Sequence, residues 1–346
     1  MTTKKIIRAR APLRLGLAGG GTDVSPYCDQ FGGLVVNASI DRYAYTIIRP
    51  LDENKVRLVS RDHNIQIEKN FNKLFPDNEF LFLHKVVYEY MIKNYNENKD
   101  INIECNTFCD APPGSGLGSS STVVVTMIMA FLKYFNIQIE KYDIANLAYE
   151  IERNYCKFKG GKQDHYSAVF GGFNYMEFFK DGNVKVNPIE LDNWVLSELE
   201  ASLLLFYTGI SRDSNSIISE QIKNVELNNI ESIQSMHLIK QEANFMKDYL
   251  INANFLGFID SLQIGWQNKK KIAKNITNEH LDFIYESAIS AGALAGKISG
   301  AGGGGFFIFF VPAENRMKVI RKLDQFKGQI SNCNFTLKGA EVWEIE

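Results

Sequence analysis

The chain has 346 residues, of which 45% are hydrophobic and 23% charged, and its formal net charge is −2 at pH 7. Because this length exceeds what one hydrophobic core usually spans, we expect two lobes. The balanced charge excludes a general attraction to nucleic acid or acidic membranes, so neither is expected as a partner, and any anion site must come from local groups.

The N-terminal segment and the cysteines bear on where the protein works. Lys4 and Lys5 are followed by apolar stretches that Arg8 and Arg10 interrupt, which is not the pattern of a secretory signal, and no apolar run is long enough to span a membrane. The five cysteines are odd in number and scattered, as is typical of reduced thiols. We therefore expect a cytoplasmic protein, and its oligomeric state stays open.

The first part of the chain has the pattern of β-structure followed by a helix and a further strand. Residues 35–48, 56–59 and 65–68 are rich in β-branched and aromatic side chains and are separated by polar turns, which predicts a meander. Apolar residues then recur at helical spacing, which predicts an amphipathic helix over residues 80–94. Another strand is predicted at residues 101–105.

The rest of the chain mixes helices and strands. Helices are predicted over residues 122–134 and around residues 144–151, and strands at residues 173–179, 203–207, 306–311 and 341–345. The polar stretch at residues 215–268 has the pattern of a helical surface that is solvated for most of its length. The boundary between the lobes is predicted near residues 190–200, which gives one lobe of residues 1–195 and another of residues 196–346.

Three glycine-rich segments, at residues 15–23, 112–121 and 297–305, carry the functional signal. The second lies between a predicted strand and a predicted helix, so its backbone can approach a ligand while the helix directs free N–H groups and its positive dipole end into the loop. Such a loop favours phosphate, although no lysine follows its last glycine as in a Walker A loop. Three unrelated turns are the alternative, but three such segments favour backbones that converge on one ligand.

Charged groups from elsewhere must then balance the phosphate. Arg14 can supply a planar cation, and the hydroxyls of residues 119–121 can help to hold Mg²⁺ or can cap the helix. Glu152 and Asp164 can supply the carboxylates that phosphoryl transfer to an alcohol needs, one near the metal and one near the acceptor hydroxyl. Taken singly, Glu152 could also be a charge on a solvated helix face, and Asp164 a helix N-cap.

These residues in this order resemble the GHMP kinases, the superfamily of galactokinase, homoserine kinase, mevalonate kinase and phosphomevalonate kinase, over almost the whole chain. The resemblance rests on Ala-Pro-Leu-Arg-Leu-Gly-Leu-Ala-Gly-Gly-Gly-Thr-Asp at residues 11–23 and on the two later glycine segments. It implies an α+β fold with an N-terminal lobe of β-meander and helices, a C-terminal ferredoxin-like lobe, and an active site between them.

The resemblance also implies roles for single residues. Ser120 and Glu152 match the ligands of Mg²⁺. Asp164 matches the catalytic aspartate of the sugar-kinase branch, and Arg14 matches the basic residue that polarises the acceptor hydroxyl. The phosphates of ATP are expected on the second segment, at Pro113, Gly114, Ser115, Gly116, Leu117, Gly118, Ser119, Ser120 and Ser121. The acceptor is expected near Gly20, Gly21, Thr22, Asp23, Lys162, Gly209, Arg212, Gly302 and Gly303.

Departures from the family pattern bear on the acceptor. Galactokinases carry Gly-Glu-His-Thr-Asp where this chain has Gly-Gly-Gly-Thr-Asp at residues 19–23, which argues against galactose. That form resembles the subgroup of D-glycero-D-manno-heptose 7-phosphate kinases and fucokinases, as does the segment at residues 161–175, and the segment at residues 206–216 resembles the heptose kinases. Fucokinases are usually much longer, so the length favours a heptose phosphate.

The implied reaction is transfer of phosphate from ATP, with Mg²⁺, to the anomeric hydroxyl of D-glycero-D-manno-heptose 7-phosphate. The product is the 1,7-bisphosphate, an intermediate toward nucleotide-activated heptose for surface polysaccharide. A phosphorylated acceptor needs a second anion site, and Arg212, among hydroxyl residues, is the candidate together with Lys162. A surface arginine at a helix start is the alternative for Arg212.

Two other functions stay open at this point. One is an anomeric kinase of an unphosphorylated sugar such as fucose, an N-acetylhexosamine or a galactose-like sugar. The other is a non-catalytic sensor of ATP or sugar on the same fold. Such sensors generally lose the catalytic acid or the metal ligands, whereas Arg14, Ser120, Glu152 and Asp164 are all present.

Overall fold

The computed structural model describes residues 5–210 and 214–345, which form two β-sheets and the helices that cover them. The strands are β1 (Ile6–Ala18), β2 (Gly33–Pro50), β3 (Lys55–Ser60), β4 (Ile65–Asn70), β5 (Ile103–Cys109), β6 (Phe173–Phe178), β7 (Val184–Pro188), β8 (Leu203–Tyr207), β9 (Ala295–Ile298), β10 (Phe306–Phe310), β11 (Gln329–Asn332) and β12 (Glu341–Ile345). The α-helices are α1 (Tyr27–Phe31), α2 (Phe82–Tyr95), α3 (Ser119–Tyr134), α4 (Lys141–Glu150), α5 (Gln163–Phe170), α6 (Asn193–Ser202), α7 (Ser214–Glu226), α8 (Ile230–Ile251), α9 (Phe255–Lys269), α10 (Glu279–Ser290) and α11 (Arg316–Leu323).

The first sheet has the order β12-β1-β2-β5-β3-β4, with β6 paired to β2 and β7 paired to β6. The long strand β2 pairs with β6 through residues 33–38 and with β5 through residues 44–50, while β1 runs along its other edge. Helix α3 packs on β1 and β2. It is apolar around most of its circumference, as expected for a helix at the centre of a core.

The strand order departs from a simple meander at β5. This strand lies between β2 and β3 and runs parallel to β3, because helix α2 carries the chain back across the sheet. The side chains of β5 are largely buried, which suits an inner position, whereas β4 has exposed side chains and forms the edge. The strand predicted at residues 101–105 also begins later and runs further than expected, from Ile103 to Cys109.

The second sheet has the order β11-β8-β10-β9 and is antiparallel throughout. Its inner strand β10, with sequence Phe-Phe-Ile-Phe-Phe, is fully buried. Helices α7 to α10 connect β8 to β9, and α11 connects β10 to β11, which is the connectivity of a ferredoxin-like domain. The predicted α+β fold with a ferredoxin-like second part is therefore confirmed.

The division into residues 1–195 and 196–346 stays a prediction. One element on its C-terminal side belongs to the first sheet, since β12 pairs antiparallel with β1 and Ile345 lies opposite Ile6. A simple cut in the sequence could not anticipate this pairing, because a short terminal strand takes its place from whichever sheet edge is open.

The polar stretch at residues 215–268 is more than a solvated surface. It forms α7, α8 and α9, and α8 packs against β1 and β2 through Ala243 and Met246, which are both fully buried. Trp266 and Met236 contribute to the core of the second part. These helices therefore join the two sheets. The predicted helices are confirmed and most of their residues keep some exposure, but each helix also buries one face, which the prediction did not include. Within the described ranges, no helix is both long and apolar enough to cross a membrane.

Candidate active site

The loop that precedes α3 forms one wall of a cleft of about 270 Å³, which we call the central cleft. Gly114, Gly116, Gly118, Ser119, Ser120 and Ser121 line it, together with Arg14, Glu152, Asp164 and other residues from both parts of the chain. Helix α3 begins directly after Gly118, so its unpaired N–H groups and positive dipole end point at the cleft. This wall is suited to an anion.

Not every predicted residue of the loop faces the central cleft. Ser115 and Leu117 are fully buried, and Leu117 belongs to the core of the first part. Pro113 lines a second cavity of about 440 Å³, which we call the adjoining cavity. Gly114, Ser119 and Ser120 line both, so the two spaces meet at the loop. The walls of the adjoining cavity include the apolar side chains of Phe80, Leu83, Val123 and Phe158.

The third glycine segment braces the loop by direct backbone contact. Gly116 has a φ of +78°, and a Cβ atom there would collide with the carbonyl oxygen of Ser299. The backbone N–H of Phe306 donates to the carbonyl of Ser115 at 3.1 Å. The two glycine segments are therefore packed backbone to backbone, which holds the loop in shape before any ligand binds.

Arg14, on β1, connects all three glycine segments. Its Nε and Nη2 both lie 2.7 Å from Oδ1 of Asp164, and its Nη1 donates to the carbonyl of Gly116 at 2.6 Å and to Oγ of Ser299 at 3.3 Å. The side chain is 4% exposed. Burial and four fixed contacts leave this guanidinium a single orientation.

Asp164 lies in the first turn of α5, with about a fifth of its side chain exposed. Arg14 occupies Oδ1, and no described residue donates a hydrogen bond to Oδ2. A Cβ atom at Gly118 would lie 3.2 Å from Cγ of Asp164, so the carboxylate borders the phosphate loop. The alternative of an N-cap is wrong, because the N-cap of α5 is Lys162 and no side chain caps the helix.

Glu152 lies in a π-helical turn, Ile151–Tyr155, at the end of α4. Its Oε1 accepts a hydrogen bond from Ser120 Oγ at 2.7 Å, and its Oε2 accepts one from Ser121 Oγ at 2.6 Å. The residue is 2% exposed, so the alternative of a charge on a solvated helix face is wrong. The serines do not cap α3, whose N-cap is Gly118. A π-turn at this position is typical of a functional site, because it re-aims one side chain of a helix.

Glu152 stays ionised in spite of its burial. Burial raises the pKa of its carboxyl, but the charge of Arg153 and the hydrogen bond from His165 outweigh that effect and hold the pKa below its usual range. Arg153 Nη1 lies 3.3 Å from Oε2 of Glu152, and His165 Nε2 lies 2.7 Å from the same oxygen. Sequence reasoning missed both partners, although each stands beside or near a predicted acid in the chain.

Asp23 also lines the cleft and is 1% exposed. Its Oδ2 accepts a hydrogen bond from the backbone N–H of Gln163 at 3.0 Å, and its Oδ1 accepts one from the backbone N–H of Gly21 at 3.1 Å. A Cβ atom at Gly161 would collide with this carboxylate. Asp23 is therefore tied to the start of α5, one residue from Asp164.

Several predicted acceptor residues do not line the central cleft. Thr22 is fully buried, and its hydroxyl bonds the backbone of Gly19 and Leu34. Lys162 Nζ donates to the carbonyl of Gly182 at 2.9 Å instead. Gly20, Gly209 and Gly303 are also absent from the lining, whereas Gly21, Asp23 and Gly302 belong to it. Arg212 lies outside the described residues.

Two cleft residues carried no signal in the sequence. Lys269, the last residue of α9, and Gln221, on α7, are 7% and 3% exposed. Lys269 Nζ donates to the carbonyl of Gly20, and Gln221 Nε2 donates to the carbonyl of Gly21. Both are single polar residues within polar helices, and only the packing of α7 and α9 against the first part shows that they reach the cleft.

Comparisons with known proteins agree over the length of the chain. Residues 82–172 match the family described as GHMP kinases N terminal domain, and residues 246–329 match the family described as GHMP kinases C terminal. A D-glycero-alpha-D-manno-heptose 7-phosphate kinase of Campylobacter jejuni is 41% identical over 99% of this chain and 100% of that protein.

Solved structures show the same similarity. A D-glycero-D-manno-heptose 1-phosphate kinase from Bacteroides thetaiotaomicron has a TM-score of 0.83 and 37% identity, with 98% of this chain and 99% of that chain covered. Galactokinase from Lactococcus lactis has a TM-score of 0.74 over 97% of this chain and 95% of that chain. At 19% identity, this second similarity concerns the fold alone.

Proposed function

Since the chain belongs to the GHMP kinases, we propose that the protein is an ATP-dependent sugar kinase that phosphorylates the anomeric hydroxyl of D-glycero-D-manno-heptose 7-phosphate. The product is then the 1,7-bisphosphate. The acceptor is supported by the full-length relative at 41% identity, which is named for this substrate. The similar structure at 37% identity is likewise named for a heptose phosphate.

The two adjoining spaces suit the two ends of ATP. The start of α3 and the glycines of the loop offer N–H groups to the phosphates in the central cleft. The adjoining cavity has apolar walls at Phe80, Leu83 and Val123, and these suit the flat apolar faces of a purine. ATP placed across the loop directs its γ-phosphate toward Asp164 and Arg14.

The residues next to the loop fit Mg²⁺. This ion prefers oxygen ligands and commonly takes one or two from the protein beside those of substrate phosphates. Ser120 Oγ and the ionised carboxylate of Glu152 supply such oxygens, 2.7 Å apart. Within residues 5–210 and 214–345, no cluster of three His, Cys, Asp or Glu side chains could hold a metal unaided, which agrees with an ion shared with ATP. When bound, Mg²⁺ neutralises charge on the phosphates.

Asp164 and Arg14 would act on the acceptor hydroxyl. As the anomeric oxygen attacks the γ-phosphorus, the bond to the bridging oxygen of ADP breaks and the hydroxyl proton passes to Oδ2 of Asp164. Arg14 fixes the carboxylate through Oδ1 and stabilises negative charge on the transferred group. Asp23, anchored to the same end of α5, suits the ring hydroxyls of the sugar.

The observation that carries this proposal is the Arg14–Asp164 pair at 2.7 Å, held against the phosphate loop by Gly116 and Ser299. The test is a panel of sugars with ATP and Mg²⁺, scored by release of ADP: the heptose 7-phosphate, the unphosphorylated heptose, fucose, N-acetylhexosamines and galactose. We expect kcat/KM to be at least about tenfold higher for the heptose 7-phosphate, and ³¹P NMR to show a new phosphate coupled to the anomeric proton. A preference for an unphosphorylated sugar would contradict the proposal.

We also propose a cytoplasmic site of action and a place in the synthesis of nucleotide-activated heptose for surface polysaccharide. All five cysteines are unpaired, which suits a reducing compartment. An anomeric phosphate is the group that nucleotidyl transfer to a sugar consumes, so the product is chemically prepared for that reaction. The assignment of Arg212 to the sugar phosphate stays a prediction from the sequence.

A further inference from the structure

Lys269 is a buried cation in the central cleft, and none of the residues that the structure describes gives it an acidic partner. Its side chain is 7% exposed, and its one hydrogen bond, 2.9 Å long, goes to the backbone carbonyl of Gly20. No carboxylate of the described residues lies within 4.0 Å of its Nζ, and Asp23 acts on it only at longer range. Burial lowers the pKa of Lys269 to about 8. A buried ammonium with free N–H donors is costly unless a ligand pairs with it.

The absence of a side chain at Gly21 makes the space for this cation. A Cβ atom there would lie 2.9 Å from Nζ of Lys269 and 3.2 Å from both polar atoms of the Gln221 amide, and the φ of +104° favours glycine. Helices α7 and α9 and the turn after β1 thus bring an ammonium and an amide to one point of the cleft wall. A larger residue at position 21 would displace both.

In the proposed function the phosphates of ATP lie at the loop and the start of α3. Lys269 bonds the backbone of a different glycine segment, at Gly20, so it is a candidate for a different anion. Lys269 instead stands with Gly21 and Asp23, where the acceptor would lie once its reacting hydroxyl meets Asp164. The charges that act on Lys269 are of both signs, because Asp23 attracts it while Arg14 and Lys297 repel it. Asp23 already accepts two backbone hydrogen bonds and Arg14 is paired with Asp164, so Lys269 keeps N–H donors for an anionic group of the acceptor.

We propose that Lys269 binds the phosphate group that the acceptor sugar already carries, with Gln221 holding the turn at Gly21 open beside it. This inference rests on the proposed function and adds to it the residue that distinguishes a phosphorylated from an unphosphorylated acceptor. Arg14 and Asp164 act on the hydroxyl, and Lys269 acts on the phosphate that the same molecule carries.

The test compares Lys269→Met with the wild-type protein on heptose 7-phosphate and on unphosphorylated heptose. We expect KM for the phosphorylated sugar to rise roughly 10- to 100-fold, the loss expected for a hydrogen bond between charged groups. The kcat for this substrate and the kcat/KM for the unphosphorylated sugar should stay within about twofold. Gln221→Glu, which puts a carboxylate beside Lys269 and removes the hydrogen bond to Gly21, should raise KM more for the phosphorylated than for the unphosphorylated sugar. This variant tests the inference if Lys269→Met does not fold.

Each outcome separates this inference from the proposed function. If the wild-type protein phosphorylates heptose 7-phosphate but Lys269→Met leaves its KM unchanged, the phosphate site is wrong and the proposed function stands. An equal loss on both sugars assigns Lys269 to the sugar ring or to the structure, which also overturns the inference. If the wild-type protein does not use phosphorylated sugars, the proposed function itself has failed.

Discussion

Replacing Lys269 by methionine should make the ligand-free protein more stable, although the same change weakens binding of the phosphorylated sugar. Burial of the ammonium lowers the pKa of Lys269 from 10.5 to about 8, and this value already includes the attraction of Asp23 and the repulsion of Arg14. A pKa lowered to this extent corresponds to a cost of about 3 kcal/mol for keeping the lysine charged in the folded state. Loss of the hydrogen bond to the Gly20 carbonyl offsets about 1 kcal/mol.

We therefore expect a net gain of about 2 kcal/mol at pH 7. Its pH dependence is a second check. Between pH 8 and 10.5 the unfolded wild-type chain binds the proton that the folded protein has released, so wild-type stability rises with pH in this window. The advantage of Lys269→Met is thus complete below pH 8 and shrinks as the pH approaches 10.5.

Urea unfolding of both proteins at pH 7 and pH 9.5 measures this difference, provided that the m-values agree. Lys271→Met, at an exposed lysine two residues further along, is the matched control and should change the free energy of unfolding by less than about 0.5 kcal/mol. A variant that is less stable than the wild-type protein at pH 7, or an advantage that does not shrink at pH 9.5, would refute the reasoning.

Three further predictions concern the reaction. Asp164→Asn should keep the fold and lower kcat at least about 100-fold; undiminished turnover of the heptose phosphate would rule out Asp164 as the base. Arg14→Lys should lower kcat with little change in KM for ATP, because a compact ammonium lacks the planar fork that puts two nitrogens on Asp164 and a third on Gly116 and Ser299; equal kcat values would show that charge alone suffices. Glu152→Gln should raise the Mg²⁺ concentration for half-maximal rate at least about tenfold, and an unchanged Mg²⁺ titration would remove Glu152 from the metal site.

That Arg14, Ser120 and Asp164 line one cleft could be predicted from the sequence because these residues stand in local patterns. Arg14, Ser120 and Asp164 each lie in or beside a glycine-rich segment. Glycine is common where a backbone approaches another group closely, so such segments mark candidate sites in the sequence. The part of the cleft around Gly21 and Lys269, where we propose that the acceptor binds, depends on tertiary packing. Lys269 meets Gly21 across some 250 positions of the chain, and Lys162, a similar charge in a better-marked segment, bonds Gly182 outside the cleft.

In the fold, too, features with a local sequence pattern could be predicted, whereas features set by tertiary packing could not. Helix α3 and strand β10 were visible as apolar runs, since each is buried on nearly all sides. The place of β5 between β2 and β3 could not be read locally, because strand order depends on which sheet edge remains open after α2 has crossed. The π-turn at Glu152 was also hidden, since one inserted residue leaves the helical pattern of α4 almost unchanged.

The contacts of Arg14 make the geometry of the candidate active site depend on the packing of the two parts of the chain against each other. Its guanidinium reaches Asp164 from one side, while Gly116 and Ser299 hold it from the other, and Ser299 belongs to the second part of the chain. When that part moves away, Arg14 loses one anchor and the loop loses its brace at Gly116. An opened molecule would therefore hold the Arg14–Asp164 pair and the phosphate loop less firmly than the closed one.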